Sequence, residues 1–322
     1  APPITKKTLE LGVKYSPSDV CIPFKYNLGN FIEALDNGAN ILVQAGGGCR
    51  YRYYAEVQEK ILKDLGYEFD FIKLMSKDRL HILEFFKIFK NINNKLSFFK
   101  FIHTFIVTLF FIYYMDKIDV IIRKRIGFEL RKNSFKDLQT KMFKSFYKCN
   151  NIFSLTFNYL KYKKLFKKIK INKPKNCLKV GIIGELYTSM EQFSSYYIEE
   201  MLAQYNIEVK RFTNLTYLLI QKKFKIKKML KKVNKYVKHE LGADGLDNIY
   251  RAQYLIDQGF DGIIHIKSAF CTPEIGVMPI LNKICKQYNV PIIYFSFDSN
   301  TSEVGIKTRI EAFYDMIEMR RK

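Results

Sequence analysis

The sequence predicts an α/β protein with parallel sheets, on three observations. Strand-length apolar runs (ANILVQA, YEFDFIKL, LKVGIIGELYT, IEVKRFT, FDGIIHIKSAF and VPIIYFSFD) alternate with segments of helical period. The connections are short, and glycines such as Gly38 and Gly66 close helices. The 322 residues are 48% hydrophobic and 16% aromatic, enough for two ordinary domains with cores of their own.

In chain order, TKKTLELG forms a short helix and a loop leads to Cys21. PFKYNLGNFIEALDNG is a second helix, ANILVQA a strand, Arg50 to Leu65 a helix and YEFDFIKL a second strand. These elements define a first α/β block over residues 1–74. Between residues 75 and 174 only Gly127 interrupts a run dominated by Phe, Ile and Lys, which predicts helices. The last stretch of that run, KYKKLFKKIKINKPKN, is expected to be a basic tail leading into a linker. The α/β pattern restarts in residues 175–322. LKVGIIGELYT is a strand ending in a glycine-bearing loop, SSYYIEEMLAQYN a helix, IEVKRFT a strand, and Gln221 to His239 an amphipathic basic helix. A helix closed by LIDQG, the strand FDGIIHIKSAF, the helix CTPEIGVMPILNKICKQYN, the strand VPIIYFSFD and a helix from about Ile306 to Met319 complete it. The expected architecture is two Rossmann-like parallel-sheet units joined by a basic helical insertion.

The net charge of +23 points in general to nucleic acid or an anionic membrane surface. The charge is regional: residues 71–170 hold 23 Lys and Arg against 6 Asp and Glu. That distribution argues for caution over nucleic acid; the second basic run, Gln221 to His239, is expected to be a solvated helix face, the alternative being an anion-binding surface for a CoA tail, nucleic acid or a partner. FIHTFIVTLFFIYYM, Phe101 to Met115, is about five residues short of the roughly 20 that a bilayer span needs, so a core helix is expected instead of a span. Six cysteines are too few for a disulfide scaffold and no signal-peptide pattern opens the chain, which points to a reducing cytoplasm. Ala1 in place of methionine reads as a processed or truncated start.

In open α/β sheets ligands bind beyond the carboxyl ends of the strands. Three cysteines occupy such turns. Cys49 follows ANILVQA and the glycines Gly46, Gly47 and Gly48, and opens a helix. Cys271 follows FDGIIHIKSAF, with Thr272 expected as the N-cap and Pro273 at the first helical position. Cys21 precedes Ile22-Pro23 and its helix. Free amides and the macrodipole at helix N-termini lower a thiol's pKa, so the three are candidates to bind metal or to react. The alternative for each is a small buried hydrophobe.

The glycines let backbone amides approach a bulky anion, either phosphate or an iron–sulfur cluster. Lys25, Arg50 and Lys267 flank the cysteines and are candidates to balance its charge. Glu185, at the end of LKVGIIG, is expected either to cap the next helix or to serve as a ligand or acid–base group. His265, Cys149, Cys177 and Cys285 are expected to be structural. Without CxxC, HExxH, GxSxG or a P-loop pattern, zinc ribbon, zinc protease, α/β-hydrolase and P-loop ATPase readings lose their usual support.

Four stretches together resemble the acyl-CoA dehydratase activase-related proteins of the 2-hydroxyacyl-CoA dehydratase D-component superfamily. They are Cys21 to Phe69 (CIPFKYN through GYEF), LKVGIIGELYTSMEQFSSYYIEEML, GFDGIIHIKSAFCTPEIGVMPIL and YFSFDSNTSEVGIKTRIEAF. The resemblance implies Rossmann-like domains and a [4Fe–4S] cluster, or half of a double-cubane cluster, held by three cysteines from separate loops. It carries those ligands onto Cys21, Cys49 and Cys271. It further implies an open iron, an acyl-CoA or other small molecule that is dehydrated or reduced there, and anaerobic chemistry. The electron is expected from a partner ATPase, an activase with its own cluster, and a homo- or heterodimer is expected. The alternative is a non-catalytic accessory or electron-relay subunit that binds an activase or a dehydratase partner. The segment GADGLDN lacks the histidine of the family form, and the Lys- and Phe-rich insertion lies outside the resemblance.

Overall fold

The computed structural model describes residues 1–46, 51–74 and 82–321. The first block runs α1 (Lys6–Tyr15), α2 (Ile22–Asp36), β1 (Ile41–Gln44), α3 (Tyr51–Asp64) and β2 (Asp70–Lys73). Thr5 and Thr8 form a reciprocal capping box that starts α1. The helices α1 and α2 press together at glycines: a Cβ on Gly12 would meet the Lys25 carbonyl oxygen at 1.9 Å, and one on Gly29 the Thr8 carbonyl oxygen at 1.8 Å. β1 and β2 pair in parallel, Ile41 opposite Asp70. Among the described residues this sheet has two strands of four residues, a smaller layer than the Rossmann-like unit expected.

The insertion is helical, as predicted: α4 (Ile82–Ile92), α5 (Phe98–Arg123), α6 (Ser134–Phe146) and α7 (Ile152–Lys168). Ile118, Phe135, Met142, Leu155 and Phe166 form its core. KYKKLFKKIK is not a tail. It continues α7, because Tyr159, Tyr162 and Phe166 recur at helical spacing beneath the lysines and are buried. Phe101 to Met115 lies within α5, with Phe101 and Tyr114 buried. No helix of the described residues is long and apolar enough to cross a membrane.

The last unit contains β3 (Leu178–Gly184), α8 (Leu186–Met190), α9 (Ile198–Gln204), β4 (Ile207–Arg211), a turn of π-helix (Tyr217–Gln221), α10 (Lys222–Val233), α11 (Gly245–Asp257), β5 (Gly262–Ser268), α12 (Thr272–Gln287), β6 (Ile292–Phe297) and α13 (Glu303–Arg321). Its four strands are parallel, in the order β4-β3-β5-β6. One face packs Val180, Ile182, Ile264 and Ile266 against α9 and α13. The other packs Ile183 and Ile263 against α10, α11 and α12. The sheet is thus covered on both faces, and its order reverses between β3 and β5, where a doubly wound sheet opens its binding crevice.

Two helices differ from expectation. α9 begins only at Ile198, because Tyr196 and Tyr197 both take positive φ and break the helical path. The basic helix, expected over Gln221 to His239, is α10 and ends at Val233.

β3 can end beside β5 only because residue 184 is glycine. Gly184 has φ of +142°, and a Cβ there would lie 1.8 Å from the Ile266 carbonyl oxygen. Gly184→Ala is therefore expected to cost about 3 kcal/mol in urea unfolding. Gly276→Ala, on α12 with open space around its Cβ, should be neutral or stabilising by up to about 1 kcal/mol. Equal effects of the two substitutions would contradict this account of the strand end.

Candidate functional site

The first block docks on the last unit through α2, whose Ile22 and Tyr26 join the core that covers β3 and β5. Tyr26 stacks on Tyr187 of α8 with ring centroids 5.9 Å apart. This places the start of α2 beside the carboxyl end of β5.

Ser268, the last residue of β5 and 1% exposed, joins the two loops. Its Oγ accepts the Ile22 amide at 2.9 Å, next to Cys21. Its carbonyl accepts the Cys271 amide at 3.1 Å. Cys21 and Cys271 are themselves the N-caps of α2 and α12, with Pro23 and Pro273 in the first turns. Thr272, expected as the cap of α12, is instead its first helical residue. Neither cysteine uses its side chain to cap its helix. Cys-x-Pro at both helix starts is a signal that was present in the sequence, and it marks two equivalent turns.

Tyr54, in the first turn of α3, brings a third element to the same place: its hydroxyl lies 3.1 Å from Cys21 Sγ, and its ring meets Phe24 edge-on at 4.8 Å. α3 is held there by Gln58, which accepts from Gln44 Nε2 at 2.6 Å and donates to the Phe24 carbonyl at 3.2 Å. Gly46 takes positive φ after β1, as a glycine turn requires. Gly47, Gly48, Cys49 and Arg50 lie outside the described residues. Among the described residues no group of three or more His, Cys, Asp or Glu side chains is arranged to hold a metal ion.

Lys267 is 4% exposed, and among the described residues its ammonium donates to the carbonyls of Ser268 and Ala269, at 3.4 and 3.3 Å. Burial lowers its pKa, and the negative charges of Cys271 and Glu274 work in the opposite direction. Lys25 is buried in the first turn of α2. Glu185 caps α8: it accepts the amides of Tyr187 and Thr188 at 2.7 and 3.1 Å and the Thr188 hydroxyl. Its own amide donates to the Ile266 carbonyl at 2.9 Å, which fixes it across the β3–β5 seam.

Residues 227–317, from α10 into α13, match the family model described as 2-hydroxyglutaryl-CoA dehydratase, D-component. Over that stretch, under a third of the chain, the sequence is similar to the 2-hydroxyacyl-CoA dehydratase D-component proteins. No curated protein matches the chain. The match supports a dehydratase-component-like role. The matched stretch supplies Lys267, Ser268 and Cys271 to the candidate site; Cys21 and Glu185 come from outside it.

The same stretch contains a buried polar network that sequence reading missed. His265 is a structural histidine, as expected, with Nε2 2.7 Å from Glu274 Oε2. Asn248 donates to both oxygens of Glu274 at 2.9 Å and to the Gly184 carbonyl at 3.2 Å, and accepts the Gly184 amide at 3.0 Å. The network therefore locks the end of β3 to α11 and to the first turn of α12. The available signals were a histidine inside an apolar strand and a glutamate in the turn after Cys271. In GADGLDN, the segment without the family's histidine, Asp244 and Asp247 hold Lys222 at 3.1 and 2.9 Å. Cys177 and Cys285 are buried, and burial pushes the Cys285 thiol up to about 12.

Burial also lifts the Glu185 carboxyl to about 7; its capping bonds pull the other way and Asp244 adds to the rise. Because the folded pKa is raised, this group's stabilisation is complete below about pH 4.5 and is lost as pH rises through about 7. Wild type should lose about 3 kcal/mol relative to Glu185→Gln over that interval, measured by urea unfolding across a pH series. Parallel pH profiles for the two proteins would contradict the burial assigned to Glu185.

Proposed function

We propose that the chain is an iron–sulfur component of dehydratase type, in which Cys21, Cys49 and Cys271 hold a [4Fe–4S] cluster, or half of a double-cubane cluster, in the crevice between β3 and β5. The observation that carries the reading is the single serine to which the Cys21 and Cys271 turns are both bonded. The donor chemistry fits. Two thiols stand at helix N-termini, where amides and the macrodipole favour thiolate, and a buried ammonium with no carboxylate within ion-pair distance among the described residues stands beside one of them. A buried cation left this way is costly unless an anion faces it, and a cluster on three thiolates is such an anion.

When bound, the cluster supplies a low-potential electron store and one iron position free of protein thiolate. The chain's own groups bind and orient. The N-terminal turns of α2 and α12 stabilise sulfur charge, the Tyr54 hydroxyl orients Cys21 Sγ, and Lys267, with Lys25 and Arg50, offsets negative charge. Gly46, at positive φ after β1, opens the glycine run that precedes Cys49 in the sequence. Glu185, fixed behind the crevice, is able to hold a proton near neutral pH. In this reading an ATP-dependent activase with its own cluster delivers the electron, and an acyl-CoA or another small molecule is dehydrated or reduced.

The test is iron and acid-labile sulfide in anaerobically purified protein. Wild type should carry about four irons per chain, or a multiple of four if clusters are shared or doubled, with a visible band that bleaches on reduction. Cys21→Ser, Cys49→Ser and Cys271→Ser should each lose most of the iron, and Cys177→Ser should keep it. Iron-free wild type, or iron retained in all three variants, would contradict the proposal.

A further inference from the structure

A cleft of about 350 Å³ lies where α5 of the insertion runs beside β4, the outermost strand of the four-stranded sheet. It is separate from the cysteine turns. Five cations line it: Arg123, Lys124, Lys179, Lys210 and Arg211. Its two carboxylates are already engaged, Asp119 by Arg123 at 2.5 Å and Glu208 by Lys173 at 2.8 Å. Lys124, Lys179 and Lys210 have no carboxylate partner among the described residues.

The ammonium of Lys210 is held by neutral groups alone. It donates to the Tyr254 hydroxyl at 3.0 Å and lies over the rings of Tyr254, Phe212 and Phe260, at 4.4, 5.3 and 5.9 Å. Arg211, 5% exposed in its side chain, stands 3.6 Å from both Asp119 Oδ2 and Glu199 Oε1, beyond hydrogen-bond range, and its buried Nε has no hydrogen-bond partner. Like charges gathered in one cleft repel, and a buried guanidinium donor without an acceptor is costly. Both conditions are relieved by a multiply charged anion. The remaining wall is mixed: Val120, Val209 and Phe260 offer an apolar surface for a flat organic body, and Thr213, Asn214 and Gln258 add neutral hydrogen-bonding groups.

We infer that this cleft binds a small organic phosphate of nucleoside monophosphate size, with the phosphate on the unpaired lysines and Arg211 and the base on the apolar wall. The volume lies near the lower end of small-molecule sites, which favours a mononucleotide over an extended dinucleotide. Lysine and arginine together suit a phosphate dianion, lysine as a point charge and arginine as a fork. The site stands at a junction between two units of the fold, where small-molecule sites concentrate.

Calorimetric titration of the full chain, prepared without iron, tests this with AMP, adenosine and inorganic phosphate as probes. AMP should bind once per chain, at least about tenfold tighter than either fragment. The double variant Lys124→Gln/Lys179→Gln, at exposed positions, should weaken AMP by about tenfold or more with an unchanged melting temperature. The pair Lys164→Gln/Lys168→Gln on α7, outside the cleft, should leave AMP binding unchanged. Absence of AMP binding, equal binding of inorganic phosphate, or equal losses in the two double variants would overturn the inference. Because no iron is involved, its failure would leave the cluster reading untouched.

Discussion

Ser268 is the contact on which the candidate site depends. One residue at the end of a fully buried strand accepts a backbone amide from each of two cysteine turns, through its side chain and through its carbonyl. The bond from the Ile22 amide is buried, so leaving that amide unpaired costs about 1–3 kcal/mol. The position follows from strand parity. Ile264, Ile266 and Ser268 point to the face that α2 covers through Ile22 and Tyr26, and Lys267 alternates to the other. A β5 register displaced by one residue would exchange serine and lysine and separate the turns.

The surrounding structure holds that contact in place from three sides. Gly184 lets β3 close against Ile266, and Asn248 clamps the same strand end to Glu274 at the start of α12. The glycine crossing of α1 and α2, with the Thr8 hydroxyl donating to Glu33 Oε2 at 2.6 Å, sets the position of α2. The insertion is fastened separately. Arg123 of α5 pairs with Glu199 of α9 and with Asp119, and Arg211 of β4 lies 3.6 Å from both carboxylates. Pairs this buried add little net stability but make the arrangement specific, since removing one partner strands a charge.

Much of the fold was legible because its signals are local. The seven residues of β5 are all buried, and Ile263, Ile264 and Ile266 mark the strand in the sequence; Cys271 stands at the strand-to-helix turn that follows it, whereas Cys21 opens α2 after a loop from α1. Errors arose where a local preference competed with tertiary structure. Threonine is the better N-cap by propensity, yet Cys271 occupies that position; lysines around Tyr162 and Phe166 disguised α7 as a tail; and two left-handed tyrosines shortened α9. Glu185 capping its helix was one of the two roles foreseen for it. The Ser268 tie could not be read, because it joins residues 246 positions apart, and serine at a strand end carries no signal of its own.

The central claim is that the Cys21 and Cys271 turns converge to hold one metal centre. The most direct measurement is an anomalous difference map at the iron edge, from crystals of anaerobically prepared protein. The account predicts an iron peak within thiolate bonding distance, about 2.3 Å, of both sulfurs. Iron bound elsewhere, or no peak beside either cysteine, would contradict it.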